Sequence, residues 1–198
     1  MKDLLKINKK IVLASKSPRR KKLLEQIGLS FCIITSDIDE KELATNIEPR
    51  EYAQQLARKK AIDVAGKIDD EAIVIGADTI VVLGGKILNK PEDPEDAQRM
   101  LGILSNNTHT VYTGVAIVES KSGYILSDVK STNVTFRRLS EDEISAYVAT
   151  GAPLDKAGAY GIQDDFGAVF ISHIEGCYYN IVGLPLEMLY GMLSEFSG

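Results

Sequence analysis

Residues 10–27 read KIVLASKSPRRKKLLEQI, and the order of elements in this stretch decides the fold class of the chain. The apolar run Ile11–Ala14 predicts a buried strand that ends in a turn. From Pro18 to Ile27, apolar residues recur at helical spacing, which predicts a helix directly after that turn. A strand, a loop and a helix in this order are typical of a protein that packs helices on a β-sheet.

The rest of the chain continues this alternation. Spacing and capping residues predict further helices at about 49–65, from 93 with an apolar stripe through 104, from 140 to 151 and from 185 to 196. Apolar or β-rich runs predict strands at 72–75, 109–119 and 124–136, with turns at Gly84–Gly85 and Ser122–Gly123. We therefore expect one α/β (α+β) domain over residues 1–198, with a mixed central β-sheet flanked by helices.

Length and composition limit what this domain can do. A chain of 198 residues with 44% hydrophobic residues can build one compact core. Its net charge of −5 gives no overall basic field, so we expect a small polyanion as ligand and no stable nucleic acid binding. The sequence shows no signal peptide and no bilayer span, and Cys32 and Cys177 lack metal-ligand spacing. These features predict a cytoplasmic protein without membrane contact.

The start of the first predicted helix breaks an electrostatic rule. Ser17 is a suitable N-cap and Pro18 a suitable first residue, but four cations, beginning with Arg19 and Arg20, follow where the helix dipole favours acidic residues. Each cation costs about 0.3–1 kcal/mol there when exposed. A phosphate would relieve the conflict, because it would meet backbone N–H groups, a guanidinium and the hydroxyls of Ser15 and Ser17. A solvated basic turn is the alternative, but it explains less well why the segment directly follows a buried strand.

Lys60 lies where the second predicted helix should be apolar. The apolar stripe of this helix consists of Ala53, Leu56, Ala57 and Val64. Lys60 falls near the middle of the stripe. A lysine directed at the core either extends along apolar surface to water or meets an anion, because an unpaired buried ammonium is costly. The helix by itself leaves both outcomes open.

Asp78 interrupts an apolar stretch in the same way. It separates two apolar runs, so its carboxylate needs a partner or a metal if the strand is buried. A hairpin turn at Gly84–Gly85 pairs Thr79 with Lys90 and so brings Lys90 beside Asp78, although strict alternation puts the two side chains on opposite faces. The structural alternatives are a strand-end aspartate with a basic neighbour and a surface lysine.

Other polar residues give weaker signals. Glu40 lies in a polar stretch and is by itself more typical of a solvated carboxylate. We interpret His109 and His173 as structural. Cys177 is interpreted as a packed, unreactive thiol, because no base is identifiable for it.

Several short motifs, taken together and in order, resemble one protein family. The motifs are SKSPRR at 15–20, GADT at 76–79, KP at 90–91, LDKAGAYGIQ at 154–163 and VGLP at 182–185. From about Ile11 to its end, the chain resembles the Maf proteins, which are nucleotide pyrophosphatases linked to septum formation. The segment AYGIQ at 159–163 resembles the branch of the family that acts on dTTP and UTP.

The resemblance implies a Maf/ITPase-like fold with a deep nucleotide-binding cleft. The implied reaction is the hydrolysis of a nucleoside triphosphate to a monophosphate and pyrophosphate with Mg²⁺ or Mn²⁺. The implied substrates are dTTP, UTP and modified pyrimidine nucleotides, which the enzyme would clear from the nucleotide pool. Such chemistry depends on positioning and charge stabilisation, which the cationic residues identified above can supply.

The resemblance also assigns roles to individual residues. It implies that Asp78 and Glu40 bind the metal, and that Asp78 acts as base for the attacking water. It implies that Gln163 reads the pyrimidine edge. The residues implied to bind the triphosphate are Ser15, Arg19, Arg20, Lys60 and Lys90.

The chain departs from the family pattern at two places. Asp164 and Asp165 follow Gln163 where the family more often has glycine, and Cys177 stands where the family commonly has a small or polar residue. Substrate preference is therefore less firmly implied than reaction type.

Two other functions stay open: a non-hydrolysing nucleotide-binding regulator of cell division, and a nucleotidyltransferase. A pure phosphate binder would not need Asp78 and Glu40 beside its cations, and a transferase would need a second substrate pocket that the sequence does not identify. The sequence also leaves open whether the chain forms a homodimer.

Overall fold

A computed structural model describes residue 5 and residues 7–38, 47–163 and 166–196 of the chain. The strands are β1 (Lys10–Leu13), β2 (Cys32–Ile33), β3 (Ala72–Leu83), β4 (Lys86–Leu88), β5 (Thr108–Glu119), β6 (Ile125–Phe136) and β7 (Ile171–Glu175). The α-helices are α1 (Pro18–Gln26), α2 (Pro49–Ala65), α3 (Pro94–Leu104), α4 (Glu141–Ala149), α5 (Gly167–Phe170), α6 (Tyr178–Val182) and α7 (Leu186–Ser194). Short 3₁₀ turns cover Ala152–Asp155 and Ala157–Ala159.

The strands form a mixed sheet in the order β2-β1-β3-β5-β6-β7, and β4 pairs with β3. Strand β1 is parallel to both β2 and β3, whereas β3 with β4 and β6 with β7 are antiparallel pairs. The mixed α/β fold class predicted from the sequence is thereby confirmed. Strands β2 and β7 were not predicted, because β2 has only two residues and the β7 sequence ISHIE neither alternates nor forms an apolar run.

Serine and aspartate side chains define three helix starts as predicted. Ser17 accepts a hydrogen bond from the backbone of helix α1, and Asp93 does the same for α3. At α4, Ser140 and Glu143 form the complete capping box. The predicted glycine turn is also present, since β3 ends at Leu83 and β4 begins at Lys86.

The chain divides into two compact units. The first unit comprises the described residues up to Asp78 together with 113–130 and 183–196, and the second comprises 79–112 and 131–182. Whether the two fold as the predicted single domain stays a prediction. None of the helices within the described ranges is long and apolar enough to cross a membrane.

The first unit packs helix α2 closely against β3 and β5. A Cβ atom on Gly76 of β3 would lie 2.4 Å from the carbonyl oxygen of Ala57, and one on Gly114 of β5 would lie 2.3 Å from that of Ala53. Because glycine has no side chain, the helix backbone can rest directly on the sheet at these two points. The core around this contact consists of small residues, mainly alanine and valine.

The second unit builds its core from larger side chains. Helices α3 and α4 contribute Met100, Leu101, Leu104 and Tyr147, all of them buried. Phe136 from β6 and Phe170 from α5 pack against the same core, with ring centroids 6.0 Å apart. Aromatic packing therefore contributes to the core of this unit.

Candidate active site

The segment between β1 and α1 lies beside the part of β3 that contains Asp78. Leu13 at the end of β1 pairs with Ile75, and the N–H of Ala14 donates to the carbonyl of Ile75 over 2.8 Å. Since β1 and β3 are parallel, the loop that begins at Ser15 emerges next to the residues that follow Ile75. Ligands of α/β sheets commonly bind at this carboxyl edge of the strands.

Hydrogen bonds hold the loop and the start of helix α1 in place. The Ser15 hydroxyl is buried and accepts from the backbone N–H of Ser17 over 3.2 Å. The guanidinium of Arg20 donates to the Ser15 Oγ over 3.2 Å and to the Gly183 carbonyl over 2.8 Å. These bonds orient the Arg20 side chain before any anion binds.

The cations at the helix start differ in their surroundings. Arg19 and Arg20 are half-buried, whereas Lys21 and Lys22 are exposed. Lys21 lies 3.7 Å from Glu25, one turn along the same helix. The interpretation as a solvated turn therefore suits the two lysines, and the arginines are the candidates for binding an anion.

Lys60 and Asp78 form a buried ion pair in the first unit. The Nζ atom of Lys60 donates to Oδ1 of Asp78 over 2.6 Å, and the two residues are 8% and 6% exposed. Of the two outcomes predicted for Lys60, meeting an anion is the correct one. The anion is a carboxylate of the protein itself.

The partner of Asp78 was not predicted. Sequence register placed Lys90 beside Asp78 but on the opposite face and left their contact open, whereas it gave no indication that Lys60 contacts Asp78. Asp78 also lies inside the continuous strand β3 and not at a strand end. The sequence does contain a signal for the contact between Lys60 and Asp78. Ala57, Ala61 and Gly76 are small enough to allow close contact between α2, which contains Lys60, and β3, which contains Asp78.

Lys90 and Gln163 belong to the second unit, where both are exposed and both have contacts to other groups. The residue before Lys90, Asn89, accepts a hydrogen bond through its carbonyl from the N–H of Gly158 over 3.1 Å. The segment that leads to Gln163 is therefore tied to the segment that contains Lys90. Glu40 lies outside the described residues, as do Asp164 and Asp165.

A second buried polar pair connects β5 to the segment before Gln163. His109 Nε2 lies 2.8 Å from the Tyr160 hydroxyl oxygen, and the residues are 2% and 5% exposed. Burial lowers the pKa of His109 to about 4 and raises the pKa of Tyr160 above its ordinary value. Both side chains are consequently neutral at physiological pH. The structural role predicted for His109 fits this burial, but the pairing with Tyr160 was not predicted.

Of the two carboxylates predicted to bind a metal, Asp78 lies within the residues that the structure describes. No group of three or more potential ligand residues occurs there. Mg²⁺ commonly takes one or two carboxylates and completes its shell with substrate phosphates and water. The buried carboxylate of Asp78, which already binds a cationic ammonium, fits such a role.

These features define a class of protein. An α/β sheet with a capped, arginine-bearing helix start at its carboxyl edge and a buried carboxylate on the next strand is suited to bind a small phosphorylated ligand. The Maf-like protein family model matches residues 10–196, and the chain therefore belongs to the Maf family.

Curated relatives agree with this membership. A dTTP/UTP pyrophosphatase from Pelotomaculum thermopropionicum is 50% identical over 188 residues, which are 95% of this chain and 97% of that protein. Proteins with the same description from Acetivibrio thermocellus and Clostridium botulinum (strain Eklund 17B) are 49% and 47% identical, over 94% of this chain and 95% and 98% of theirs. The prediction that the chain is an enzyme is confirmed by these relatives.

Among solved structures, a HAM1 protein from Coxiella burnetii matches 94% of this chain and 98% of its own, with 15% identity and a TM-score of 0.48. The family membership rests on the sequence matches and not on this likeness.

Proposed function

We propose that this chain hydrolyses dTTP, UTP and modified pyrimidine nucleoside triphosphates to the monophosphate and pyrophosphate, with Mg²⁺ or Mn²⁺. The observation that carries the proposal is the buried Asp78 carboxylate on the strand beside the basic helix start. A protein that only holds phosphates has no need of a buried carboxylate there. The names of the relatives supply the reaction and the nucleotides.

The first unit supplies groups for the triphosphate. The start of helix α1 offers backbone N–H groups and its dipole, and Arg19 and Arg20 offer guanidinium groups. Ser15 holds Arg20 and presents a hydroxyl at the same place. Lys60 brings a further cation, which is available to a phosphate once Asp78 is engaged elsewhere.

Asp78, with Glu40 by family resemblance, would hold the metal. The bound metal would neutralise charge on the phosphate oxygens. Asp78 also takes a proton from the attacking water. The water oxygen bonds to one of the two phosphorus atoms that flank the oxygen between the α- and β-phosphates. The bond from that phosphorus to the bridging oxygen breaks, and the products are the monophosphate and pyrophosphate. The cationic side chains stabilise the negative charge that develops during this step.

Gln163 would select the base. Its amide carries a donor and an acceptor, which suit the adjacent carbonyl and N–H groups of thymine and uracil. The exposed Lys90, on the segment tied to Gly158, would add a cation for the phosphates. The cytoplasmic location and a homodimer stay predictions.

The test is an assay of the purified chain with dTTP and UTP, in Mg²⁺, in Mn²⁺ and in EDTA. We expect monophosphate and pyrophosphate in equal amounts, with turnover only when a metal is present. Faster turnover of dTTP and UTP than of dCTP, dATP or GTP would support base selection. Release of orthophosphate with a nucleoside diphosphate would contradict the reaction.

The same assay separates the rival functions. Binding of dTTP without turnover at any metal concentration would favour the non-hydrolysing regulator. Transfer of the nucleotidyl group to an acceptor other than water would favour a nucleotidyltransferase.

A further inference from the structure

The segment from the 3₁₀ turn at Ala157–Ala159 to Gln163 begins with an unfavourable backbone conformation. Gly158 has a φ of 69° and Ala159 a φ of 60°, so two successive residues are left-handed. Glycine tolerates this region, but the Cβ atom of alanine makes it unfavourable. Such a conformation persists only where the surrounding structure fixes it.

Gly158 is fixed by close contacts on one side. A Cβ atom there would lie 2.9 Å from the Val81 side chain, and the Gly158 N–H donates to the Asn89 carbonyl. The backbone at Gly158 is therefore pressed against β3 and hydrogen-bonded to the residue that precedes Lys90.

Gly161 is fixed on the other side of Tyr160. A Cβ atom on Gly167 would lie 2.2 Å from the carbonyl oxygen of Gly161, so the start of helix α5 touches this backbone directly. Gly161 and Ile162 are buried, whereas Gln163 is exposed. The segment thus leads from a tightly packed interior to a side chain that can reach a ligand.

Tyr160 is the side chain that anchors the middle of the segment. Its ring meets the rings of Phe136 and His109 edge to face, with centroids 4.8 Å and 5.3 Å away. Its hydroxyl is 2.8 Å from His109 Nε2. Two ring contacts and one hydrogen bond therefore fix Tyr160, the residue that directly follows the strained Ala159.

The His109–Tyr160 pair is neutral, and its hydrogen bond joins the two side chains directly. The Nδ1 atom of His109 is buried and has no hydrogen-bond partner among the residues that the structure describes. The hydrogen bond of the His109 ring is therefore the one that its other nitrogen, Nε2, forms with the Tyr160 hydroxyl. A histidine kept only for packing would not need this alignment, since an apolar ring could fill the same space.

We propose that His109 and Tyr160 are positioning residues for base selection: their hydrogen bond fixes the strained segment that places Gln163. The proposal rests on the proposed function, because it assigns a task to residues behind the predicted base-reading side chain. His109 and Tyr160 both act through Gln163. Loss of their hydrogen bond should therefore weaken the affinity for the base even in a variant that keeps its fold.

The central test is Tyr160→Phe, which removes the hydroxyl and keeps the ring. We expect the KM for dTTP to rise about threefold to tenfold, as expected for one lost buried hydrogen bond, while kcat changes by less than about twofold. Inhibition by inorganic tripolyphosphate, which contains no base, should be unchanged. A general loss of structure would instead weaken tripolyphosphate and dTTP alike.

Tyr147→Phe is the matched control. Tyr147 is also a buried tyrosine of the second unit, 1% exposed, and its ring packs against Phe170. It lies on helix α4 and not in the segment before Gln163. The KM for dTTP of this variant should stay within about twofold of the wild-type value.

Substitutions of His109 provide an independent measurement. His109→Gln keeps a side-chain amide that can bond to the Tyr160 hydroxyl, whereas His109→Leu removes all bonding capacity. Binding of a dTTP analogue with an imido group between the α- and β-phosphorus atoms, measured by calorimetry, should be weaker in His109→Leu and largely restored in His109→Gln. This comparison also decides the matter if Tyr160→Phe does not fold.

The possible outcomes separate the two proposals. If the wild-type chain hydrolyses dTTP but Tyr160→Phe has an unchanged KM, or if tripolyphosphate inhibition weakens in parallel, the positioning role is wrong and the proposed function stands. If His109→Leu binds the analogue as tightly as His109→Gln does, the positioning role is again wrong. If the wild-type chain does not hydrolyse dTTP, the proposed function is wrong and the positioning proposal falls with it.

Discussion

The two units each contain a buried polar pair, but the pairs differ in charge. Lys60 and Asp78 place an ammonium and a carboxylate 2.6 Å apart in the first unit, whereas His109 and Tyr160 meet as neutral groups at 2.8 Å in the second. Buried charges depend on each other, because each would be very costly without the other. A neutral pair costs less to break, so its value lies in the geometry that it imposes. We conclude that the charged pair suits chemistry and the neutral pair suits positioning.

The largest expected effect concerns the carboxylate of the charged pair. Asp78→Asn should lower turnover of dTTP by at least about a thousandfold, because the amide can neither accept the proton of water nor bind a metal as a carboxylate does. The chain should still fold, since the asparagine oxygen can accept from Lys60. Turnover is measured by pyrophosphate release and folding by circular dichroism.

The control for this prediction is Asp128→Asn. Asp128 is an exposed aspartate of β6, 3.4 Å from Arg50, and its replacement should leave turnover within about twofold. Unaltered turnover in Asp78→Asn would remove Asp78 from the mechanism.

The next effect tests whether the charged pair is truly interdependent. Lys60→Met should lower the free energy of unfolding by roughly 3–5 kcal/mol, because it removes the Lys60 ammonium from the buried Asp78 carboxylate. The double variant Lys60→Met/Asp78→Leu should recover most of this loss, since both charges are then absent. Urea denaturation measures both values.

Lys59→Met provides the matched control on the same helix. Lys59 is exposed, so its replacement should change the free energy of unfolding by no more than about 0.5 kcal/mol. Equal effects of Lys60→Met and Lys59→Met would contradict a stabilising role for the buried pair.

The close contact between helix α2 and strand β3, which places Lys60 next to Asp78, can be tested by adding a methyl group at Gly76. Gly76→Ala would place a methyl group against the carbonyl of Ala57, and we expect a loss of about 2–3 kcal/mol in the free energy of unfolding. Gly102→Ala on helix α3, where a Cβ atom meets nothing within 4 Å, should instead stabilise the chain by about 0.5–1 kcal/mol. A Gly76→Ala variant as stable as Gly102→Ala would contradict close contact between α2 and β3.

The smallest expected effect is a pH dependence of the free energy of unfolding that arises from His109 in the neutral pair. The pKa of His109 is about 4 in the folded chain and 6.5 in the unfolded chain, so the unfolded chain binds more protons between these values. Stability is therefore complete above pH 6.5 and falls as the pH drops toward 4. Between pH 7 and pH 5 the contribution of this single group is about 2 kcal/mol.

The measurement compares urea unfolding of the wild type and His109→Gln at both pH values. The variant should lose about 2 kcal/mol less on acidification. Replacing His173, which is exposed on β7, should leave the loss as in the wild type.

Arg137 and Ser140 keep the pKa of Glu143 at about 2, so that carboxylate affects stability only in a lower pH range, from about pH 4.5 downward. An equal loss in wild type and His109→Gln would mean that His109 is not desolvated in the fold.

Local signals were sufficient for much of the fold and for part of the site. The helix start at Ser17 and the turn at Gly84–Gly85 follow from residues adjacent in sequence, and both are present. The position of Lys60 on an apolar stripe indicated that it is directed at the core, but it left open whether the ammonium reaches water or an anion. Such features are predictable because capping, turn formation and helical periodicity each depend on a few neighbouring residues.

The sequence by itself determined that this is an α/β protein of the Maf family with cations at a helix start and a carboxylate in a core strand. Only the tertiary structure decided that Lys60 contacts Asp78, and that His109 meets Tyr160. These contacts join residues 18 and 51 positions apart. Their partners depend on which helix face rests on which strand, and that choice follows from packing of the whole core.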